Sequence, residues 1–105
     1  MDHNIKRLLI KKARKSSCNY KIGAIAISHK GEIIGRSFNT PPISGNAYHA
    51  EQILMARYGK NIKTIIIVRV NKTGGILPIS PCDACKEMAE KYNIDIVSFM
   101  PEDEK

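Results

Sequence analysis

The sequence predicts an α/β fold of three layers, with helices covering both faces of a mixed sheet of four or five strands. Three observations lead there. Segments with helical apolar spacing alternate with short β-branched runs, in the order helix, hairpin, helix, strand, helix, strand. The later part reads as two strand–helix–strand units, which call for a parallel component and for helices packed on the sheet. A chain of 105 residues with 43% hydrophobic content suits one domain, residues 1–105, with a core of its own.

Each element has its own signal. Ile5, Leu8, Leu9 and Ala13 share one face of a first helix, and Lys6, Arg7, Lys11, Arg14 and Lys15 fill the others, with Asp2 placed to cap it. Ile22–Ser28 and Glu32–Ser37 read as the strands of a hairpin, with Gly31 available for a positive φ in the turn. Residues 39–46 read as loop, because the adjacent prolines 41 and 42 lack the N–H that a helix or central strand needs. A second helix is expected from about Ala47 to Tyr58, ended by Gly59. Thr64–Val70 has the composition of a strand buried on both faces. Asn71–Ile79, with Gly74, Gly75 and Pro78, reads as loop with room for a small hairpin. Ser80 as N-cap, Pro81 in the first turn and Asp83 in an acidic capping box open a third helix, which runs to Tyr92. Asp95–Met100 is the last strand, and residues 101–105 are a tail.

The longest aliphatic run, Ile65 to Val68, is far short of the roughly 20 residues of a membrane span. Only Leu8, Leu9 and Ile10 precede Lys11 as an apolar run near the start, so no signal peptide is read and a cytoplasmic, reducing location is expected. Three cysteines do not make a disulfide framework and read as thiols, with Cys18 a small buried residue. The net charge is +7: residues 1–36 hold nine Lys or Arg and two acids, and residues 37–105 hold eight of each. The excess in the first third suggests a face that attracts the phosphate of a nucleotide or a nucleic acid. A solvated helix face that keeps the protein soluble fits it equally well.

Two short segments carry chemistry, His49-Ala50-Glu51 and Pro81-Cys82-Asp83-Ala84-Cys85, each at the expected start of a helix. Cysteines at i and i+3 lie on one face of a helix, so Cys82 and Cys85 can bind a single ion. Side chains in a first turn lean out past the helix end, and two facing ends would bring His49 to the cysteine pair. The partial positive charge of a helix start also favours thiolates. One nitrogen and two sulfurs leave a fourth position open, the mark of a catalytic zinc site, here one zinc per chain. Such a site activates water near neutral pH. Glu51, in the same turn as His49, is placed to carry the proton. Alone, a Cys-x-x-Cys pair is as readily redox-active, and a lone His or Glu at a helix start is usually a cap. Together they form H-x-E followed by P-C-x-x-C, the zinc deaminase signature.

From about Arg14 to Met100 the chain resembles the cytidine and deoxycytidylate deaminase superfamily. Ser16-Ser17-Cys18 with Lys21-Ile22-Gly23-Ala24 resembles the entry to the first strand in the deoxycytidylate branch. Gly35-Arg36-Ser37-Phe38-Asn39 is similar to the family's second strand, and Ser80-Pro81-Cys82 to its metal loop. The resemblance implies a three-layer α/β/α cytidine deaminase-like fold. It implies hydrolytic deamination of cytosine in a free nucleotide or nucleoside, dCMP- or CMP-like substrates preferred, giving the uracil product and ammonia. Glu51 would protonate the ring nitrogen and then the departing amine. The Ala50 backbone would hold the base, the Ser80 carbonyl would accept from the amino group, and Asn39 would bond a sugar hydroxyl. A homo-oligomer is implied as well. Two departures stand out: Pro41 occupies the place of a glutamate found in nucleoside-type members, and only nine residues separate Asn39 from His49. Phe38 and Tyr48 flank the expected pocket. The alternatives are a deaminase acting on a base in single-stranded nucleic acid or tRNA, and a non-catalytic zinc-binding module. Six aromatic residues, four Tyr and two Phe, offer little stacking platform for the first, and Glu51 has no evident purpose in the second.

Overall fold

A computed structural model describes residues 3–18, 21–43 and 46–101, without the side chains of residue 3 and of residues 41–48. The longest strand, β5 (Ile62–Val70), organises the rest. Its side chains alternate between faces, so Ile65 and Ile67 enter one core cluster and Ile66, Val68 and Val70 another. A strand that is apolar on both sides needs helices on both sides, and it has them.

β1 (Lys21–Ser28) runs antiparallel to β5, with Lys21 opposite Val70, and β2 (Ile33–Phe38) runs antiparallel along the outer edge of β1. The other edge of β5 is shared between two strands. β7 (Asp95–Ser98) pairs parallel with residues 64–67, and β6 (Ile76–Leu77) pairs antiparallel with Arg69 and Val70. The sheet is therefore mixed, with five strands and one parallel pair.

One face is covered by α1 (His3–Arg14), whose Leu9 and Ala13 pack with Ile25, Val68, Val70 and Phe99. α2 (Ala50–Tyr58) and α3 (Asp83–Tyr92) cover the other, with Leu54, Met55, Cys85 and Ala89 against Ala24, Ala26, Ile65 and Ile67. Fully burying a side chain such as Leu54 contributes about 1.5–3 kcal/mol. Gly23 lets α1 rest directly on β1: a Cβ there would lie 2.6 Å from the Leu9 carbonyl oxygen and 2.7 Å from the Ala13 nitrogen.

Several local expectations are corrected. Residues 39–46 are not all loop: β3 (Thr40–Ile43) and β4 (Asn46–Tyr48) form a two-stranded antiparallel ribbon. Its pairs are Thr40 with Tyr48 and Ile43 with Asn46, so the prolines fall between paired positions and no ladder N–H is missed. This ribbon keeps residues 46–48 extended, and α2 begins at Ala50, three residues later than expected, with His49 (φ −78°, ψ 144°) as its N-cap. α3 likewise begins after Cys82, which replaces Ser80 as N-cap because its thiol accepts the Cys85 N–H at 3.4 Å. The small hairpin after β5 is present as β6. Gly59 ends α2 as expected, and α3 ends on Asn93 in the left-handed region (φ 57°, ψ 47°). β7 ends at Ser98, although the Phe99 N–H still donates to the Ile67 carbonyl. Cys18 is half-buried, not buried, beside the Asn39 carbonyl. The expected cap Asp2 and tail residues 102–105 lie outside the described residues. Among the described residues no helix is long and apolar enough to cross a membrane.

Candidate metal centre

β1 begins, and β2 and β5 end, at one end of the sheet, because Lys21 lies opposite Val70 and Gly23 opposite Phe38. α2 opens at that same end, where the Ser37 hydroxyl on β2 donates to the Ala50 carbonyl at 2.5 Å. α3 starts from there as well, since it must run back to reach β7, which is parallel to β5. Two helix N-termini thus meet at a single place.

His49 Nδ1 lies 3.4 Å from Cys82 Sγ and 3.5 Å from Cys85 Sγ, and the two sulfurs are 3.2 Å apart. A zinc ion with bonds of about 2.3 Å to sulfur and about 2.0–2.1 Å to nitrogen would, in a tetrahedron, space its ligands by roughly 3.5–3.8 Å. The nitrogen–sulfur spacings already match, and the sulfurs must part by about half an ångström. The donor set and its geometry fit zinc. Cys85 is fully buried, while His49 and Cys82 are half-buried, so the triangle has an open side. The His49 backbone is held on both sides, its N–H donating to Gln52 Oε1 at 3.4 Å and its carbonyl accepting from Ile53 N at 3.2 Å.

Electrostatics at the thiols run against the sequence expectation. Burial pushes the Cys85 thiol up, and its hydrogen bond with Cys82 and the negative charge of Glu51 push it further. The helix N-terminus does not outweigh them. In the metal-free protein Cys85 is a neutral thiol, and a bound cation reverses that balance. Glu51 is only 3% exposed, one residue beyond the Ala50 carbonyl that Ser37 holds.

The other expected site residues are placed as follows. Asn39 directly follows β2; its N–H donates to the Ile22 carbonyl at 3.0 Å and its Oδ1 accepts the Ile22 N–H at 2.9 Å, which extends the ladder through a side chain. Ser16, buried at the end of α1, donates to the Asn39 carbonyl at 2.8 Å, and Lys21 Nζ donates to the Ser16 carbonyl. Ser80 is exposed, two residues before Cys82. Phe38 does not flank the site: alternation along β2 sends Ser37 to α2 and Phe38 to α1, where Lys12 Nζ sits 5.7 Å from its ring centre. The side chain of Tyr48 lies outside the described residues. Arg7, Lys11, Arg14 and Lys15 line a groove along α1. Partial burial, then the like charges of Lys15, Arg36 and Lys11, hold the Lys12 ammonium below its ordinary value.

The family model for the cytidine and deoxycytidylate deaminase zinc-binding region matches residues 1–100. The chain belongs to this family. Cytidine deaminase from Burkholderia pseudomallei has a similar structure, with 19% identity and a TM-score of 0.69 over 94% of this chain and 87% of that one. Cytidine deaminase from Mycobacterium tuberculosis shows 18% identity and a TM-score of 0.66 over 97% of this chain and 87% of that one. The dCMP deaminase of cyanophage S-TIM5 shows 20% identity and a TM-score of 0.56 over 94% of this chain and all of that one. No curated protein matches the sequence. Membership of the family, the shared fold and the donor set make this deaminase a zinc-dependent hydrolase. Sequence reasoning singled out neither Ser16 nor Ser37 for the site, since no spacing marks a serine that ends a helix or lies within a strand.

Proposed function

We propose that this deaminase removes the amino group of cytosine in a free nucleotide of CMP or dCMP type, with one zinc per chain held by His49 Nδ1, Cys82 Sγ and Cys85 Sγ. The convergence of those three donors beside the buried Glu51 carries the reading. When bound, zinc supplies Lewis-acid activation of water near neutral pH. Glu51, excluded from bulk solvent, takes one proton from the attacking water and gives it to the ring nitrogen, then takes the second from the hydroxyl added to the ring carbon and gives it to the amine, which leaves as ammonia. The Ala50 backbone holds the base and the Ser80 carbonyl accepts from its amino group. Asn39, fixed by its double contact with Ile22, bonds a sugar hydroxyl.

A 5′-phosphate is supported by charge. The end of α1 carries Lys11, Lys12 and Arg14, Lys21 starts β1, and all lie at the end of the sheet where Asn39 sits. Pro41, in place of a glutamate, argues in the same direction, and a fold shared with a dCMP deaminase solved with dCMP and dUMP agrees with it. The groove lined by Arg7, Lys11, Arg14 and Lys15 favours a second reading, deamination of a base in a single-stranded nucleic acid.

Ile33, 36% exposed, and Val97, 43% exposed, lie opposite Ile27 and Ile66 on the face that α1 only partly covers. A second copy covering them makes the protein a homo-oligomer. Three free cysteines agree with a reducing, cytoplasmic setting.

Glu51→Ala tests the chemistry: it keeps its zinc and loses turnover, whereas loss of both together would contradict the assigned role. Cytidine, deoxycytidine, their monophosphates and a cytosine-containing oligonucleotide, compared at low and high salt, test the substrate. The monophosphates should lead by tenfold or more at low salt, at about 1.5–3 kcal/mol per charge-assisted bond. Faster turnover of the nucleosides, or of the oligonucleotide, would overturn the nucleotide reading.

A further inference from the structure

We propose that Ser37 is a positioning residue for proton transfer, a hydroxyl on the sheet that orients the Ala50–Glu51 peptide. This rests on the reading of Glu51 as the proton carrier.

Ser37 lies within β2, where it pairs with Ala24 of β1, so its backbone is held by the sheet and not by a mobile loop. Its Oγ donates to the Ala50 carbonyl at 2.5 Å, with Ser37 6% exposed and Ala50 fully buried. Its strand partner Ala24 and its acceptor Ala50 both belong to one apolar cluster, together with Ala26 and Leu54. A carbonyl in the first turn of a helix has an N–H partner four residues on, so Ala50 needs no outside donor for its own satisfaction. A buried hydroxyl costs free energy unless it is bonded, and a small apolar side chain would fill this space. Orientation is the property that the bond adds.

The peptide group is planar, so fixing the Ala50 carbonyl also fixes the Glu51 N–H and the Glu51 Cα from which its side chain springs. On one side His49 is tied down by its own N–H and carbonyl bonds, and on the other the helix is bonded throughout. Ser37 locks the remaining link to the sheet. Asn39 stands two residues further along the chain, just past the end of β2 and anchored to Ile22. One short segment therefore holds the sugar contact and orients the proton carrier, and it sets the spacing between them. Misplacing a reacting group by about 1 Å can cost about a hundredfold in rate.

The test compares Ser37→Ala, Ser37→Thr and Glu51→Ala as zinc-loaded full-length proteins with a cytosine nucleotide. Ser37→Ala should lower kcat about five- to tenfold, the worth of one buried hydrogen bond, with zinc content unchanged and a smaller change in KM than in kcat. Threonine keeps the hydroxyl and suits a strand, so Ser37→Thr should recover most of kcat. Full kcat in Ser37→Ala, or a loss of kcat only in step with loss of zinc or of folded protein, would overturn the inference. With Glu51→Ala inactive, either result leaves the reading of Glu51 standing. Turnover by Glu51→Ala would overturn that reading and this inference with it.

Discussion

Replacing Gly23 with alanine should unseat α1 while leaving the metal in place. The new Cβ would lie 2.6 Å from the Leu9 oxygen, 2.7 Å from the Ala13 nitrogen and 3.1 Å from the Ala13 Cα. All three are backbone atoms, so no side-chain rotation relieves the contact. Restoring ordinary separations of about 3.5 Å requires α1 to lift by roughly 0.5–1 Å, and a gap of that size forfeits a quarter to a half of each dispersion contact behind it. Leu9 and Ala13, both fully buried, lose contact with Ile25, Val68 and Phe99. Overpacking of this kind costs about 1–3 kcal/mol. At about 4–8 °C per kcal/mol, a midpoint loss of about 2 kcal/mol lowers Tm by roughly 8–16 °C. Urea and thermal unfolding of the zinc-loaded protein measure it. The ligands sit at the starts of α2 and α3 on the opposite face, so zinc content should not change. Ser16 rides on the end of α1 and bonds the Asn39 carbonyl, so KM should rise while zinc stays bound. Stability within about 0.5 kcal/mol of the parent, or loss of zinc before any loss of stability, would refute this reasoning.

Cys82→Ala and Cys85→Ala should each abolish stoichiometric zinc in elemental analysis, and Cys82→Ala should also destabilise α3 by removing its thiol cap. The metal-free protein should lose stability as pH rises past the ordinary thiol value of 9.0, because the unfolded chain then releases the Cys85 proton while the folded chain keeps it. The zinc-loaded protein, whose thiols are already ionised, should lack that fall, and urea midpoints at neutral and alkaline pH compare the two. Leu54→Ala, which empties a fully buried site between α2 and the sheet, should cost about 2–5 kcal/mol in denaturant unfolding. Ile33→Asp with Val97→Asp should shift light scattering toward monomer without loss of helix in circular dichroism, and an unchanged mass would show that this face is not the contact.

Elements with many repeated local signals were legible in the sequence. The apolar stripe of α1, the β-branched run of β5 and the hairpin of β1 and β2 record burial residue after residue, and burial is what periodicity encodes. The metal trio, with Glu51 beside it, was legible for a related reason: His49 and Glu51 are close in sequence, as are Cys82 and Cys85, so each half of the constellation is a local pattern. Only the tertiary structure decided which group starts α2 and α3. Ser80 and Ala47 are plausible openings until a neighbouring ribbon holds residues 46–48 extended and the Cys82 thiol captures the Cys85 N–H. The prolines at 41 and 42 exclude a central strand, yet a two-stranded ribbon has no third strand to demand their missing N–H groups. Phe38 faces α1 and not the expected pocket, because a strand end looks the same from either face until a helix claims one. For Cys85, proximity to a helix N-terminus predicts a lowered thiol, but the depth of burial is a property of the assembled layers, and it reverses the sign. Composition and spacing select the chemistry a chain can perform, because ligand and proton carrier must be particular residue types. Orientation depends on which atoms arrive from elsewhere in the chain, as the Ser37 hydroxyl arrives at the Ala50 carbonyl, and no local pattern records that arrival.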